Sequence, residues 1–217
     1  RPAGVPAPEV SPIRENGYFL WIRPYDGYAT GIFLDQRSHR AFLGKRGKGK
    51  RVLNAFSYTC GFSVACAMAG AAVTSVDLSK KYLEWGKKNF ALNDLDLSLP
   101  RFIADDVFEF FKKASKRGEQ FDLIILDPPS FSRGAKGMPF SVVRDLKKLF
   151  GAAVALLAPG GEIFFSTNYS QWNRENLKDK LAQVIADTHF LTEQPLPKVP
   201  LDFYWEESVL KALLLRG

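Results

Sequence analysis

The spacing of apolar residues changes character near residue 51 of this chain. Upstream, "GYFLWIR" (17–23) and "GYATGIFL" (27–34) are apolar-rich runs split by "PYDG", and they predict a β-hairpin. "DQRSHRAFLG" (35–44) predicts a short helix closed by Gly44. From residue 51 onward, apolar runs alternate with helical periods. "RVLNAF", "AAVTSVDLS", "RFIADD", "FDLIILDPP" and "EIFFSTN" read as strands. Leu123 to Leu126 is continuously apolar, as a strand covered on both faces requires. Between these runs, "CGFSVACAMAG", "KKYLEWGKKNFALN", "VFEFFKKASKRG", 141–158 and 173–188 predict helices, the second capped by Ser79. "HFLTEQPLP" and "ESVLKALLLR" predict two last strands.

Strands alternating with helices imply an α/β domain, a parallel sheet covered on both faces. Residues 1–14, rich in proline, predict a flexible leader; 15–34 form the hairpin and 35–217 the main domain. In such sheets ligands bind beyond the carboxyl ends of the strands. The first loop, "AFSYTCG", has a single glycine, Gly61. It lacks G-x-G-x-x-G and the P-loop lysine, which disfavours a pyrophosphate binder. Asp77 ends the second strand, 23 residues after Asn54, near the spacing at which an acid grips a ribose. It could equally help cap the next helix. Asp106 can accept from an adenine amine or serve as a helix-start acid. Asp127, Pro128 and Pro129 form a rigid, acceptor-rich rim, because the prolines have no N–H. Phe131 beside them can stack on a flat substrate.

Composition narrows the partners. Formal net charge is +7 over 217 residues, which favours polyanions. No apolar run reaches the ~18 residues of a membrane span, and no signal peptide is visible. The two cysteines, Cys60 and Cys66, are six positions apart. On one helix their Cα atoms would lie ~9 Å apart, beyond the ~7 Å limit for a disulfide. Both are expected to be reduced and the protein cytoplasmic. His39 and His189 are isolated, so no metal site is expected.

The segments "LNAFSYTCGFSVACAMAGAAVTSVDLSKKYLEWGKKNFALN", "FDLIILDPPSF" and "TGIFLDQRSHR" together resemble the class I S-adenosylmethionine-dependent methyltransferases that modify bacterial 23S rRNA. The resemblance covers about residues 15–217. It implies a Rossmann-like fold with a mostly parallel seven-stranded sheet, S-adenosylmethionine as cofactor and RNA as partner. By resemblance, Gln36 and Arg40 hold the cofactor, Arg40 through its methionine carboxylate. Phe56, Tyr58 and Gly61 line the cofactor loop, Asp77 takes the ribose and Asp106 the adenine amine. Asp127, Pro128, Pro129 and Phe131 face the target base, with Asp127 also beside the cofactor. The family usually has glycine where this chain has Cys60. If that position needs φ > 0, Cys60 is strained.

The resemblance also bears on the target atom. Cytosine-5 methylation needs a cysteine nucleophile, and the strand that carries it in that branch reads "EIFFSTNYSQ" here, without cysteine. "FSTN" is similar to the guanine-modifying branch. A purine nitrogen is therefore expected, ring nitrogen seven ahead of an exocyclic amine. The alternatives are a cytosine-5 relative, a small-molecule methyltransferase and a non-catalytic RNA-binding module. "GKRGKGKR" (44–51) supplies phosphate contacts or is a solvated loop.

Overall fold

The computed structural model describes all residues except 1–5, 28–29, 133–138, 186–190, 199, 201 and 203–209. It opens with a hairpin, β1 (Ser11–Glu15) and β2 (Tyr18–Ile22). A 3-10 turn (Leu34–Gln36) and α1 (Arg37–Arg46) lead into β3 (Arg51–Ala55), α2 (Gly61–Met68), β4 (Ala72–Asp77) and α3 (Lys80–Ala91). Then follow β5 (Arg101–Ala104), α4 (Val107–Lys116), β6 (Phe121–Leu126), and the short pair β7 (Phe131–Ser132) and β8 (Phe140–Ser141). The chain continues through α5 (Val142–Val154), β9 (Leu157–Thr167), α6 (Arg174–Ile185), β10 (Thr192–Gln194) and β11 (Lys211–Arg216).

Seven strands form the central sheet in the order β10-β11-β9-β6-β3-β4-β5. Strands β9, β6, β3, β4 and β5 run parallel, while β11 and β10 add on antiparallel. This is the expected α/β architecture. Because side chains alternate across a strand, β6 feeds two cores. Ile124 and Leu126 pack with Phe110, Phe111, Leu149 and Phe150 of α4 and α5. Leu123 and Ile125 pack on the other face with Leu43, Phe62 and Cys66 of α1 and α2. Strand order reverses between β3 and its neighbours β4 and β6, so the crevice of a doubly wound sheet opens at their carboxyl ends.

The hairpin differs from the expected one. Its turn is Asn16-Gly17, with φ 49° and 94°. Positive φ at both central residues is the two-residue turn that matches strand twist, so Tyr18–Ile22 pairs backward onto residues assigned to the leader. Pro12 is tolerated because this is an edge ladder. Residues 28–29 of the expected second strand lie outside the described residues; 30–34 carry no strand. Strand β2 instead docks its outer edge on α3: Phe19 N–H donates to Asn93 (2.7 Å), Trp21 N–H to Asn89 (2.8 Å), and the Trp85 indole to Trp21 O (3.1 Å).

Two element ends also shift. Helix α1 runs past Gly44, whose missing Cβ lets α1 lie against Ala65 O of α2. Helix α5 stops at Val154 because Leu157 already pairs with Phe121 in the sheet. Of the expected last helix and strands, residues 186–190 and 207–209 lie outside the described residues, while Asn173, Leu191, 195–197 and Leu210 carry no helix or strand.

Arg40 and Glu15 tie the hairpin to the domain. Arg40 donates from Nε and Nη2 to the two Glu15 oxygens at 2.7 Å each, and from Nη1 to Phe33 O at 2.8 Å. Tyr18 OH adds a third bond to Glu15, at 2.9 Å. Both charged side chains are buried. Glu15→Ala would strand the Arg40 cation, and urea denaturation should show a loss of about 3–5 kcal/mol. A Glu15→Leu/Arg40→Met double variant should recover most of it.

Candidate active site

The loop after β3 is built on unusual backbone. Phe56, Tyr58 and Cys60 have φ of 61°, 49° and 64°, all left-handed and none glycine. Each such residue costs about 1–2 kcal/mol, so neighbours must hold it. Ser57 N–H donates to Val76 O (3.0 Å), and Tyr58 N–H to Asp77 Oδ2 (2.8 Å). Asn89 donates to Thr59 O (2.9 Å), and the Thr59 hydroxyl to Gly31 O (2.6 Å). Cys60 is therefore left-handed where the family usually has glycine, as anticipated. Its thiol is buried, and a Cβ at Gly86 would overlap it.

This loop walls one side of a cavity of about 930 Å³ at the carboxyl ends of the strands. Phe56 and Tyr58 come from the β3 loop, Asp77 from β4, Asp106 from the β5 end, Asp127 to Phe131 from the β6 end, and Asn168 from the β9 end. Among the described residues six acidic side chains reach the wall, Asp35, Asp77, Asp106, Glu109, Asp127 and Asp145, against the basic pair Arg144 and Lys148. The interior is thus acidic in a basic protein.

Asp77 accepts Tyr58 N–H through one oxygen and Ser79 N–H (2.8 Å) through the other. Burial pushes its pKa up, and these two bonds act against the rise. The helix cap itself is Ser79, which accepts from Tyr82 N at 3.3 Å. Asp106 does cap α4, its Oδ1 accepting from Phe108 and Glu109 N–H (2.9 and 3.3 Å) while it faces the cavity. The two readings of Asp106 are therefore compatible.

Asp127 sits at the end of a buried chain of polar groups. Ser166 Oγ donates to its Oδ1 at 2.6 Å and Gln36 Nε2 to the same atom at 3.1 Å. Gln36 Nε2 also reaches Ser166 Oγ (3.0 Å), and Gln36 Oε1 meets His39 Nδ1 (2.8 Å). Desolvation, with Asp35 nearby, raises the Asp127 pKa to about 6 although its carboxylate borders the cavity. His39 is pushed down to about 4, first by burial and then by the Arg40 charge. It is neutral and packed against Phe164, not a surface residue. Phe131 is 66% exposed at the cavity mouth, edge-on to Tyr169.

Two expected residues are not in the wall. Arg40 has its donors engaged by Glu15 and Phe33 O, so it supports the hairpin instead of reaching a ligand. Gly61 starts α2, packed against the Arg40 side chain. The basic segment 44–51 lies at the opposite, amino-terminal edge of the sheet. There Arg46 and Lys50 pair with Glu162, and Arg51 with Asp122. Sequence reasoning gave Asp35 and Ser166 no role, and it noted Asn168 only within "FSTN", whose resemblance pointed to the guanine-modifying branch. The roles of Asp35 and Ser166 depend on β9 and the 3-10 turn lying beside β6.

Comparison with known proteins gives this cavity a context. Residues 4–216 match the profile of a family described as S-adenosylmethionine-dependent methyltransferase. The chain belongs to that family. Ribosomal RNA large subunit methyltransferase K of Neisseria meningitidis is 39% identical over 193 residues, 88% of this chain and 52% of that protein. Ribosomal RNA large subunit methyltransferase K/L of a Psychrobacter strain is 40% identical over 195 residues, 88% of this chain and 23% of that protein. The chain thus spans about half or less of these relatives. A crystal structure of SMU.776, a methyltransferase by assignment complexed with SAH, superposes with a TM-score of 0.92 at 38% identity, covering 99% of this chain and 57% of that one. The fold is accordingly the Rossmann-like class I methyltransferase fold, and S-adenosylmethionine is the cofactor. The acidic, aromatic-lined cavity fits a nucleoside bearing a sulfonium and an ammonium. Its carboxylates offset both charges, and Asp77 can accept from ribose hydroxyls.

Both cysteines are free and buried, and burial pushes each thiol up to about 12. Native protein treated with iodoacetamide at pH 8 should therefore remain unmodified by mass spectrometry, and both thiols should react in guanidinium. Rapid native alkylation of either would contradict this placement.

Proposed function

We propose that this chain is a cytoplasmic enzyme that transfers methyl groups from S-adenosylmethionine to a guanine nitrogen of 23S rRNA. One observation carries the reading: an acidic nucleoside-sized cavity opens directly onto the Asp127-Pro128-Pro129 rim and the exposed ring of Phe131. The names of the relatives supply the substrate class. S-adenosylmethionine, when bound, supplies an electrophilic methyl on a sulfonium.

In this reading Asp77 holds the ribose, Asp106 the adenine amine, and Phe56 and Tyr58 cover the nucleoside. Gln36 is a positioning residue, donating from Nε2 to Asp127 Oδ1. Phe131 stacks the unpaired base, and the rim prolines keep competing N–H donors away from it. Ring nitrogen seven of guanine already offers a lone pair, so no base or thiol is needed. Holding the base in line can then contribute about 7–11 kcal/mol to the barrier reduction. Among the described residues, Arg144 and Lys148 are the cations that line the cavity, and the 44–51 segment does not reach it. Incubating 23S rRNA with labelled cofactor and analysing the nucleosides tests the reading. Label in 7-methylguanosine supports it, label in 5-methylcytidine contradicts it, and label in no RNA nucleoside removes RNA as substrate.

Two consequences can be measured. Asp77→Ala should weaken binding of S-adenosylhomocysteine about 10- to 100-fold by calorimetry, the loss of one charge-assisted hydrogen bond or more. Asp127 must be ionised to accept an N–H of the base, and its pKa is about 6. The rate kcat/KM should therefore be level above about pH 7 and fall below about pH 6, and Asp127→Asn should abolish that limb. Stability should move the other way. Burial favours the neutral acid, so its contribution is present at low pH and is lost as pH rises through about 6.

A further inference from the structure

The rim presents a hydrogen-bond donor, Asn168, and an acceptor, Asp127. Asn168 is the first residue beyond β9 and lines the cavity. Its Oδ1 accepts from the Ser130 hydroxyl at 2.9 Å, which leaves the amide NH₂ for the cavity. Asp127 is arranged in the opposite sense. Ser166 Oγ and Gln36 Nε2 both donate to Oδ1, and among the described residues no donor reaches Oδ2. The orientation of Gln36 follows from the carboxylate, which when ionised only accepts, so the Gln36 NH₂ must face Asp127. A flipped amide would set its oxygen against the carboxylate.

A donor and an acceptor on one rim discriminate between purines. Guanine carries an acceptor at O6, beside ring nitrogen seven, and a donor at N1. Adenine carries a donor at N6 and an acceptor at N1, the reverse at both positions. Asn168 meets O6 while Asp127 meets N1–H in guanine, whereas adenine sets donor against donor and lone pair against carboxylate. The two proline nitrogens between them offer no N–H to satisfy the wrong base.

We propose that Asn168, oriented by Ser130, is a specificity-determining residue that selects guanine over adenine by donating to O6. This rests on the proposed methylation of an RNA base and names how that base is chosen. Sequence reasoning noted Asn168 within "FSTN" but not its pairing with Ser130, because that bond joins positions 38 apart.

The test begins by mapping the guanosine that wild-type protein labels in a 23S rRNA transcript, then making a second transcript with adenosine at that position. Asn168→Ala should lower kcat/KM on the guanosine transcript roughly 10- to 100-fold, the size expected for a good base-edge contact. Asn168→Asp should lower it at least as far and narrow the guanosine-to-adenosine ratio, since an acceptor now faces the 6-position. Ser130→Ala should shift both quantities in the same direction, by less. Affinity for S-adenosylhomocysteine and the thermal midpoint should stay at wild-type values in all three. A wild-type ratio in both Asn168 variants would overturn the inference, as would cofactor affinity falling in step with methylation. If wild-type protein labels no RNA base, the functional reading fails and this inference with it. An active wild type with indifferent variants overturns this inference alone.

Discussion

The carboxylate of Asp77 is the constraint on which the site depends. One oxygen accepts Tyr58 N–H from the β3 loop, and the other accepts Ser79 N–H at the head of α3. It therefore joins the two parallel strands that flank the crevice and holds a loop of three left-handed, non-glycine residues. It shares the work of holding that strained loop with the Ser57–Val76, Asn89–Thr59 and Thr59–Gly31 bonds. The same group faces the cavity, so the clamp that shapes the loop also forms part of the cavity wall. Strain stored beside a binding site is a common arrangement where a close backbone approach is needed.

A second layer of support comes from outside the sheet. The segment after the hairpin crosses the strained loop. Gly31 O accepts from Thr59 and Gly31 N–H donates to Tyr58 OH, while Phe33 lies tilted against the Tyr58 ring at 5.5 Å. Gly31 has φ 103°, and any side chain there would collide with Trp85. The hairpin that carries this segment is in turn held by the Arg40–Glu15 pair. The buried ion pair, the strap and the loop thus form one continuous path from the hairpin to the cavity.

Charge is distributed with opposite signs inside and out. The chain carries a formal +7, yet six acids among the described residues face the cavity. An acidic interior favours a cationic cofactor, and a basic exterior favours an anionic strand. Several lysines and arginines that look available in the sequence are tied down. Glu162, itself buried, takes both Arg46 and Lys50, so the most basic run of the sequence secures the far edge of the sheet.

How much was legible in the sequence follows from the range of the forces involved. Strand and helix periodicity, the turn prolines and the acids at strand ends are local properties. Hydrophobic alternation alone therefore determined the parallel α/β plan and put Asp77, Asp106 and Asp127 on one edge of the sheet. The left-handed Cys60 was also foreseeable, because a residue stands where a glycine is usual. The Asn16-Gly17 turn was legible too, but the longer apolar run after it drew the hairpin one segment downstream. What only the tertiary structure decided are pairings between distant residues. Arg40 with Glu15, Ser166 and Gln36 with Asp127, and Ser130 with Asn168 are 25 to 91 positions apart. Sequence carries no local signature for such bonds. They exist because burial leaves each polar group only the partners that the packed strands bring within reach.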